Sequence, residues 1–269
     1  MDYNDLSIGI ITCGRPTKIQ QCLDSIQSNL GDCVNVKVVD SNPSDETVKI
    51  YDNYPFVDPI LFDSPLSPSA GRYVLSQNIH SCYMLFLDDD IILCQNTVAA
   101  LYQKITQSDS TDIVSAAWRE HSGYRELGQN FHFARSNNQD IIFKSFLDLG
   151  ASLEKNIDSI KVDALHATML LKTSIFEHVN FDREFGFYLE LFDFFMQCKN
   201  NRISCEAITN TYFWHHPTQY KTTTKRQTIP QSQGIDLFKK KWNMIPVGPF
   251  GKPPTINSFR NKFKKFFHN

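Results

Sequence analysis

No run of apolar residues in this 269-residue sequence approaches the ~20 that span a bilayer, so no membrane-crossing helix is expected. Cysteine is sparse, and its pattern is unpaired: positions 13, 22, 33, 82, 94, 198 and 205 give an odd count with no Cys-x-x-Cys. That argues against a disulfide scaffold or a structural zinc site and fits reduced, core-filling thiols in the cytosol. Glycine is too thin for a phosphate loop: Gly14 stands alone after the first apolar run, and no Walker or Gly-x-Gly-x-x-Gly sequence occurs. A nucleotidyltransferase of that kind is therefore disfavoured. Repeats, low-complexity tracts and Gly/Ser- or Pro-rich linkers are also missing. Met1–Asp5 lacks the basic and apolar regions of a secretory leader, so a cytoplasmic location is expected.

What is present reads as one sizeable α/β domain. Leu6 to Ile11 forms a first buried strand, Pro16 opens a helix, and Ile19, Cys22, Leu23 and Ile26 recur at helical spacing. Val34 to Val39 forms a second strand ending at Asp40, and Ser44 or Asp45 caps the helix that follows. A third strand at Ile60–Phe62 leads through a helix over 69–80 to a fourth at Tyr83–Leu87, which ends in Asp88-Asp89-Asp90. Strands and helices in alternation predict a mostly parallel sheet flanked by helices. Such sheets bind ligands beyond the carboxyl ends of their strands, where Thr12, Asp40 and the aspartate triplet fall. In the second half, strands are expected at Asp112–Trp118, Val162–Leu171 and Ile203–Ile208. A short helix is expected near 174–178 and a longer one over 188–200; residues 119–160 show no readable pattern.

Adjacent carboxylates raise one another's pKa unless a cation neutralises them. Oxygen ligands favour Mg²⁺ or Mn²⁺ as that cation. In an extended segment Asp88 and Asp90 share a side. The apolar strand before the triplet and Ile91-Ile92-Leu93 after it separate this motif from an ordinary solvated acidic turn. A phosphohydrolase with an Asp-x-Asp nucleophile fits less well, because Ile92 stands where a hydroxyl residue is usual. A second pair, Glu190 and Asp193, lies i, i+3 on one helix face among Phe185, Phe187, Tyr188, Leu191, Phe192, Phe194 and Phe195. Apolar surroundings raise a carboxyl pKa towards the range of a useful general base.

These segments resemble the family 2 glycosyltransferases of GT-A fold. The likeness rests on Ile8-Gly9-Ile10-Ile11-Thr12, on Val38-Val39-Asp40 with its Ser/Asp loop, and on Ala70-Gly71-Arg72 through Asn78 to the Asp-x-Asp strand. It covers about residues 6–100 and 163–216. The resemblance implies an inverting, metal-dependent transferase that moves a sugar from a nucleotide-sugar donor, a UDP-sugar, to a glycan or lipid-linked saccharide. Asp40 would bond the base, with Thr12 lining its pocket; Arg72 would approach the base or diphosphate, and Asp88 the ribose. Arg15 and Asp89 complete the donor-binding set. Asp90 would hold the metal (Mn²⁺ or Mg²⁺), joined by His215 or His216 after Trp214. The acceptor-side acidic motif of the family is matched by Glu190 to Asp193, except that Leu191 replaces the Asp that usually follows the Glu. The base is then Asp193 or Glu190, with Asp193 slightly preferred. That same departure keeps a non-catalytic sugar- or nucleotide-binding module as the alternative.

The expected organisation is a GT-A domain over 1–217, with a donor half to 118 and an acceptor-side half from 119, followed by a basic helical extension over 218–269. From residue 218 onward there are eleven Lys/Arg and one acid, Asp236, on an otherwise acidic chain. If the last segment is helical, Ile256, Phe259, Phe263, Phe266 and Phe267 form one stripe beside Arg260, Lys262, Lys264 and Lys265. This pattern suits peripheral contact of 256–269 with the inner face of a membrane. Nucleic acid is not expected as a partner, and the abundance of Lys, Asn, Ile and Phe points to a bacterial source.

Overall fold

The computed structural model describes residues 3–136, 138–147, 157–186, 189–217 and 231–247. The first half alternates as the sequence predicts: β1 (Leu6–Thr12), α1 (Pro16–Leu30), β2 (Asn35–Ser41), α2 (Asp45–Tyr51), β3 (Val57–Phe62), α3 (Pro68–Asn78) and β4 (Tyr83–Asp88). All seven residues of β1 are buried, as in a strand covered on both faces. Pro16 begins α1, whose buried stripe includes Ile19, Cys22, Leu23 and Ile26. Ser44 caps α2 by accepting the Thr47 N–H, and Ser67 caps α3 by accepting the Ala70 N–H, each at 3.2 Å.

The second half adds β5 (Ile91–Ile92), α4 (Thr97–Gln107), β6 (Ile113–Glu120), β7 (Gly123–Glu126), β8 (Gln129–Ser136), β9 (Gln139–Phe146), β10 (Ser159–Val162), β11 (Met169–Lys172), a 3-10 turn (Thr173–Glu177), α5 (Glu190–Asn200), β12 (Cys205–His215), α6 (Gln231–Trp242) and β13 (Met244–Val247). The main sheet runs β10-β12-β6-β11-β4-β1-β2-β3, with β5 beside β12 and β7 beside β6. Strands β4, β1, β2 and β3 are mutually parallel, and β6 and β12 form a second parallel pair. Strand β11 runs antiparallel between β4 and β6. A smaller sheet, β13-β9-β8, stands apart. One core lies between the main sheet and helices α1 and α4 (Ile8, Ile10, Leu23, Leu101). The other lies under α3 and α5 (Ile11, Leu75, Phe86, Phe194). Gly9 lets α3 settle close to β1: a Cβ there would meet Leu75 at 3.1 Å and Ile79 at 3.3 Å, with the Met84 side chain nearer still.

Three features depart from the sequence reading. The apolar stretch Val162–Leu171 is not one strand but two, β10 and β11, because polar groups between them are claimed from other elements. The Asp163 carboxylate accepts the Phe131 N–H at 2.8 Å, and a ring nitrogen of buried His166 bonds the Ala116 carbonyl at 2.7 Å. Helix α4 is unforeseen, although Val98, Leu101 and Ile105 carry its buried stripe. The unreadable 119–160 stretch contains strands β7, β8 and β9. Beyond residue 217, Gln231–Val247 packs as part of the same body: Phe238 is fully buried, and β13 pairs in parallel with β9. The stripe over 256–269, like Phe187 and Tyr188, lies outside the described residues. No described helix is long and apolar enough to cross a membrane.

Phe86 is 1 % exposed and meets Phe176 and Phe181 edge-on at 6.3 and 5.4 Å. Phe86→Ala is expected to cost about 3–5 kcal/mol in urea unfolding. Leu61→Ala, at an exposed position of β3, should stay within about 0.5 kcal/mol.

Candidate active site

Register brings the polar strand ends together. Thr12 pairs with Asp40 across β1 and β2, and Asp88 lies beside Ile11 across β1 and β4. Along the triplet, side chains alternate in and out. Asp89 is fully buried, whereas Asp88 and Asp90 are half-buried towards the crevice. Asp89 Oδ2 accepts the Thr12 hydroxyl at 2.5 Å and Arg15 Nε at 2.8 Å, and Asp89 Oδ1 is ion-paired with Arg15 Nη2. Arg15 also reaches Asp90 Oδ2 through Nη1 at 3.3 Å. From α3, Arg72 Nη2 donates to Asp88 Oδ1 at 2.8 Å. Two arginines thus supply the counter-charge that three neighbouring aspartates require.

Strand β5, directly after the triplet, pairs antiparallel with the end of β12, setting Ile91 beside His215. The His216 N–H donates to the Asp90 carbonyl at 2.8 Å. His215 Nε2 then lies 3.8 Å from Asp90 Oδ1. Its Nδ1 is 2.6 Å from Glu120 Oε1, and its ring stacks on Trp118 at 4.4 Å. An ionised carboxylate only accepts, so Nδ1 carries the proton and the Nε2 lone pair faces Asp90. The His216 ring packs instead beside His121 and Trp214, and its carbonyl accepts Lys18 Nζ at 2.8 Å. Burial, followed by the Lys18 charge, holds its pKa below the usual imidazole value. Among the described residues, no group of three or more His, Cys, Asp or Glu is placed to hold a metal on its own. Asp90 and His215 offer two ligands, which suits an ion whose other ligands come from donor phosphates and water.

Next to this edge, a narrow cleft opens between the ends of β1 and β2 and the start of α3, lined by Thr12, Cys13, Ser41, Ser67 and Gly71. Asp40, expected to meet a base here, is fully buried. Its Oδ2 accepts the Tyr51 hydroxyl at 2.8 Å, and its Oδ1 accepts the Gly14 N–H at a long 3.4 Å. Burial raises its pKa, and the two donors oppose that rise.

Glu190 and Asp193 have different surroundings. Glu190, 7 % exposed, lies 3.6 Å from Arg72 Nη1, and its Oε2 has no hydrogen-bond partner among the described residues. Burial raises its pKa, and the Arg72 charge works against that rise. Arg72 therefore bridges Asp88 at the end of β4 to Glu190 at the start of α5. Asp193, fully buried, is saturated: Oδ2 accepts Gln197 Nε2 at 2.8 Å and Lys241 Nζ at 2.9 Å, and Oδ1 accepts Trp242 Nε1 at 2.8 Å. Asp193, slightly preferred as base, has both oxygens already held by three donors and is less open to an incoming proton than Glu190, although burial raises its pKa as well. Glu120, Lys18, Lys241 and Trp242 went unnoticed in the sequence. Glu120 alone had a signal, lying two residues past a predicted strand that ends at the same sheet edge.

The model for glycosyl transferase family 2 matches residues 7–177, more than half of the chain. None of the curated proteins matches it. Among solved structures, the crystal structure of S. aureus TarS 1-349 superposes with a TM-score of 0.56 at 18 % identity, covering 78 % of this chain and 60 % of that one. A crystal structure of GalNAc-T7 with UDP, GalNAc and Mn2+ gives a TM-score of 0.62 at 12 % identity, covering 80 % of this chain and 44 % of that one. The chain thus spans less than two thirds of either structure, and at these identities the likeness speaks for the fold alone. The fold is GT-A, and the chain belongs to glycosyl transferase family 2.

Proposed function

We propose that the chain transfers a sugar from a nucleotide sugar, a UDP-sugar, to a hydroxyl of a glycan or lipid-linked saccharide, with inversion. The observation that carries this reading is the span of Arg72 between Asp88 and Glu190 beside the Asp90–His215 pair. Donor and acceptor chemistry then share one crevice. Residues up to about 118 supply the donor side, and those from 119 onward supply most of the acceptor side.

In this reading the base enters beside Thr12, Ser41 and Gly71, near the buried carboxylate of Asp40. Asp88 meets the ribose, and Arg15 and Arg72 face the diphosphate, which they orient and hold as point donors of charge. Asp90 and His215 fit a divalent cation, and the imidazole in the set favours Mn²⁺ over Mg²⁺. Such an ion, when bound, stabilises the charge that the diphosphate gains as it leaves. Glu190 takes the proton of the acceptor hydroxyl while the acceptor oxygen bonds the anomeric carbon and the carbon–phosphate-oxygen bond breaks. Asp193 holds α5 against α6 and takes no part in the chemistry. The GalNAc-T7 structure, with UDP and Mn2+ bound, supports the choice of donor and ion by analogy of fold.

Calorimetry with a UDP-sugar panel tests the donor site: binding is expected to need Mn²⁺ and to vanish in Asp90→Ala. Glu120→Ala removes the partner that fixes the His215 ring and should weaken Mn²⁺ binding about 10–100-fold. Binding without metal, or unchanged in Asp90→Ala, would contradict this assignment.

Glu190→Gln should lower kcat by about 10²–10⁴-fold with donor affinity retained. A base works only when ionised, so kcat/KM should fall as pH drops through the Glu190 pKa. Because burial raises that pKa, the fall should come at a higher pH than the ~4.3 of an ordinary glutamate. Asp193→Asn should instead destabilise the fold by roughly 3 kcal/mol, the cost of breaking a buried charged pair, while folded molecules keep turning over. If Glu190→Gln turns over at the wild-type rate, the base lies elsewhere.

A further inference from the structure

Beside the Asp90 edge, aromatic rings gather around one guanidinium. Arg119 lies over Tyr212 at 4.9 Å, Tyr124 at 5.5 Å and Trp214 at 5.6 Å from their ring centroids. Trp214 in turn meets His121 at 5.3 Å and His216 at 5.7 Å. Register explains the grouping. Arg119 on β6 pairs with Tyr124 on β7 on one side and with Trp214 on β12 on the other. Three strands therefore present flat side chains in one patch. The patch is not core: Tyr124 is 49 % exposed, His121 is exposed, and Tyr212, Trp214, Arg119 and His216 are half-buried. None of these groups is needed by the donor chemistry described above.

We infer that this patch is a saccharide platform, the surface on which the sugar rings of the acceptor glycan lie. A pyranose with equatorial hydroxyls has flat C–H faces, which an indole or phenol ring covers while the hydroxyls stay at the rim. Arg119, within 5.6 Å of three ring centroids, adds a cationic, donor-rich partner for those hydroxyls. Position selects a glycan over other occupants with apolar faces. The patch is continuous with the crevice through His216, whose N–H holds the Asp90 carbonyl. A chain lying there has its end led to the place where the transferred sugar is released. Pockets for small molecules likewise pair aromatic walls with a few placed polar groups.

The inference deepens the proposed transferase reading and rests on it for the identity of the ligand. Its test is calorimetry of the full chain with cellotetraose and chitotetraose, run alongside UDP with Mn²⁺ on the same preparations. Both Trp214→Ala and the exposed Tyr124→Ala should weaken oligosaccharide binding about tenfold, the scale of one lost aromatic contact, while UDP affinity and melting temperature stay at wild-type values. Trp214→Phe should restore most of the Trp214→Ala loss. Binding of wild-type strength in both alanine variants, or no binding of either oligosaccharide by the wild type, overturns the platform and leaves the donor site untouched. Loss of UDP binding alone would fail the transferase reading instead, with the platform still standing as a sugar site.

Discussion

Everything at this sheet edge follows from the cost of holding three aspartates in a row. Isolated in a half-buried turn, such a group would draw protons or spring apart. Here each aspartate has its own arrangement. Asp89 turns inward to Thr12 and Arg15, Asp88 takes Arg72, and Asp90 is shared between Arg15 and the side facing His215. The arginines stand where the fold can deliver them. Arg15 is the residue before α1, at the end of β1, and Arg72 lies on α3, whose close seat on the sheet depends on Gly9 and Gly71. A Cβ at Gly71 would come within 3.0 Å of Ile11, so a bulkier helix would lift Arg72 away from Asp88. Packing of a helix on a strand thereby sets the charge balance of the site.

The first half of the fold was legible because its central strands β1 and β4 are largely buried on both faces and its helices carry stripes or caps. Leu6–Thr12, Pro16 and Ser44 each announce one element, and alternation then implies a parallel sheet with its ligand edge at Thr12, Asp40 and Asp88. The second half was harder for a physical reason: its order is set by long-range pairing. Strand β11 is four residues long and enters antiparallel between β4 and β6, and β5 is two residues long and exists only because β12 is there to pair with it. No local period encodes such contacts. For the site, residue types at the strand ends pointed to Asp90 and a late histidine, but which of His215 and His216 faces Asp90 needed the β5–β12 register. Glu120 was hidden because its role is defined by a partner 95 residues away.

The two acids of α5 show where periodicity stops being informative. A spacing of three residues puts Glu190 and Asp193 on one face, yet a helix face is not a uniform environment. Glu190 is the first residue of the helix, and the dipole there favours its anion while burial opposes it. One turn further on, Asp193 meets α6, and Lys241, Trp242 and Gln197 fill its acceptor sites. Burial raises the Asp193 pKa as it does that of Glu190, so what marks Asp193 as a structural anchor is the cost of leaving its three donors unpaired. A carboxylate with an unpartnered oxygen, a raised pKa and one nearby cation retains the capacity to accept a proton. Helix α6 thereby contributes to the crevice through α5. By occupying Asp193 it fixes the helix that carries Glu190, so the acid that sequence spacing favoured is the one that fastens its neighbour in place.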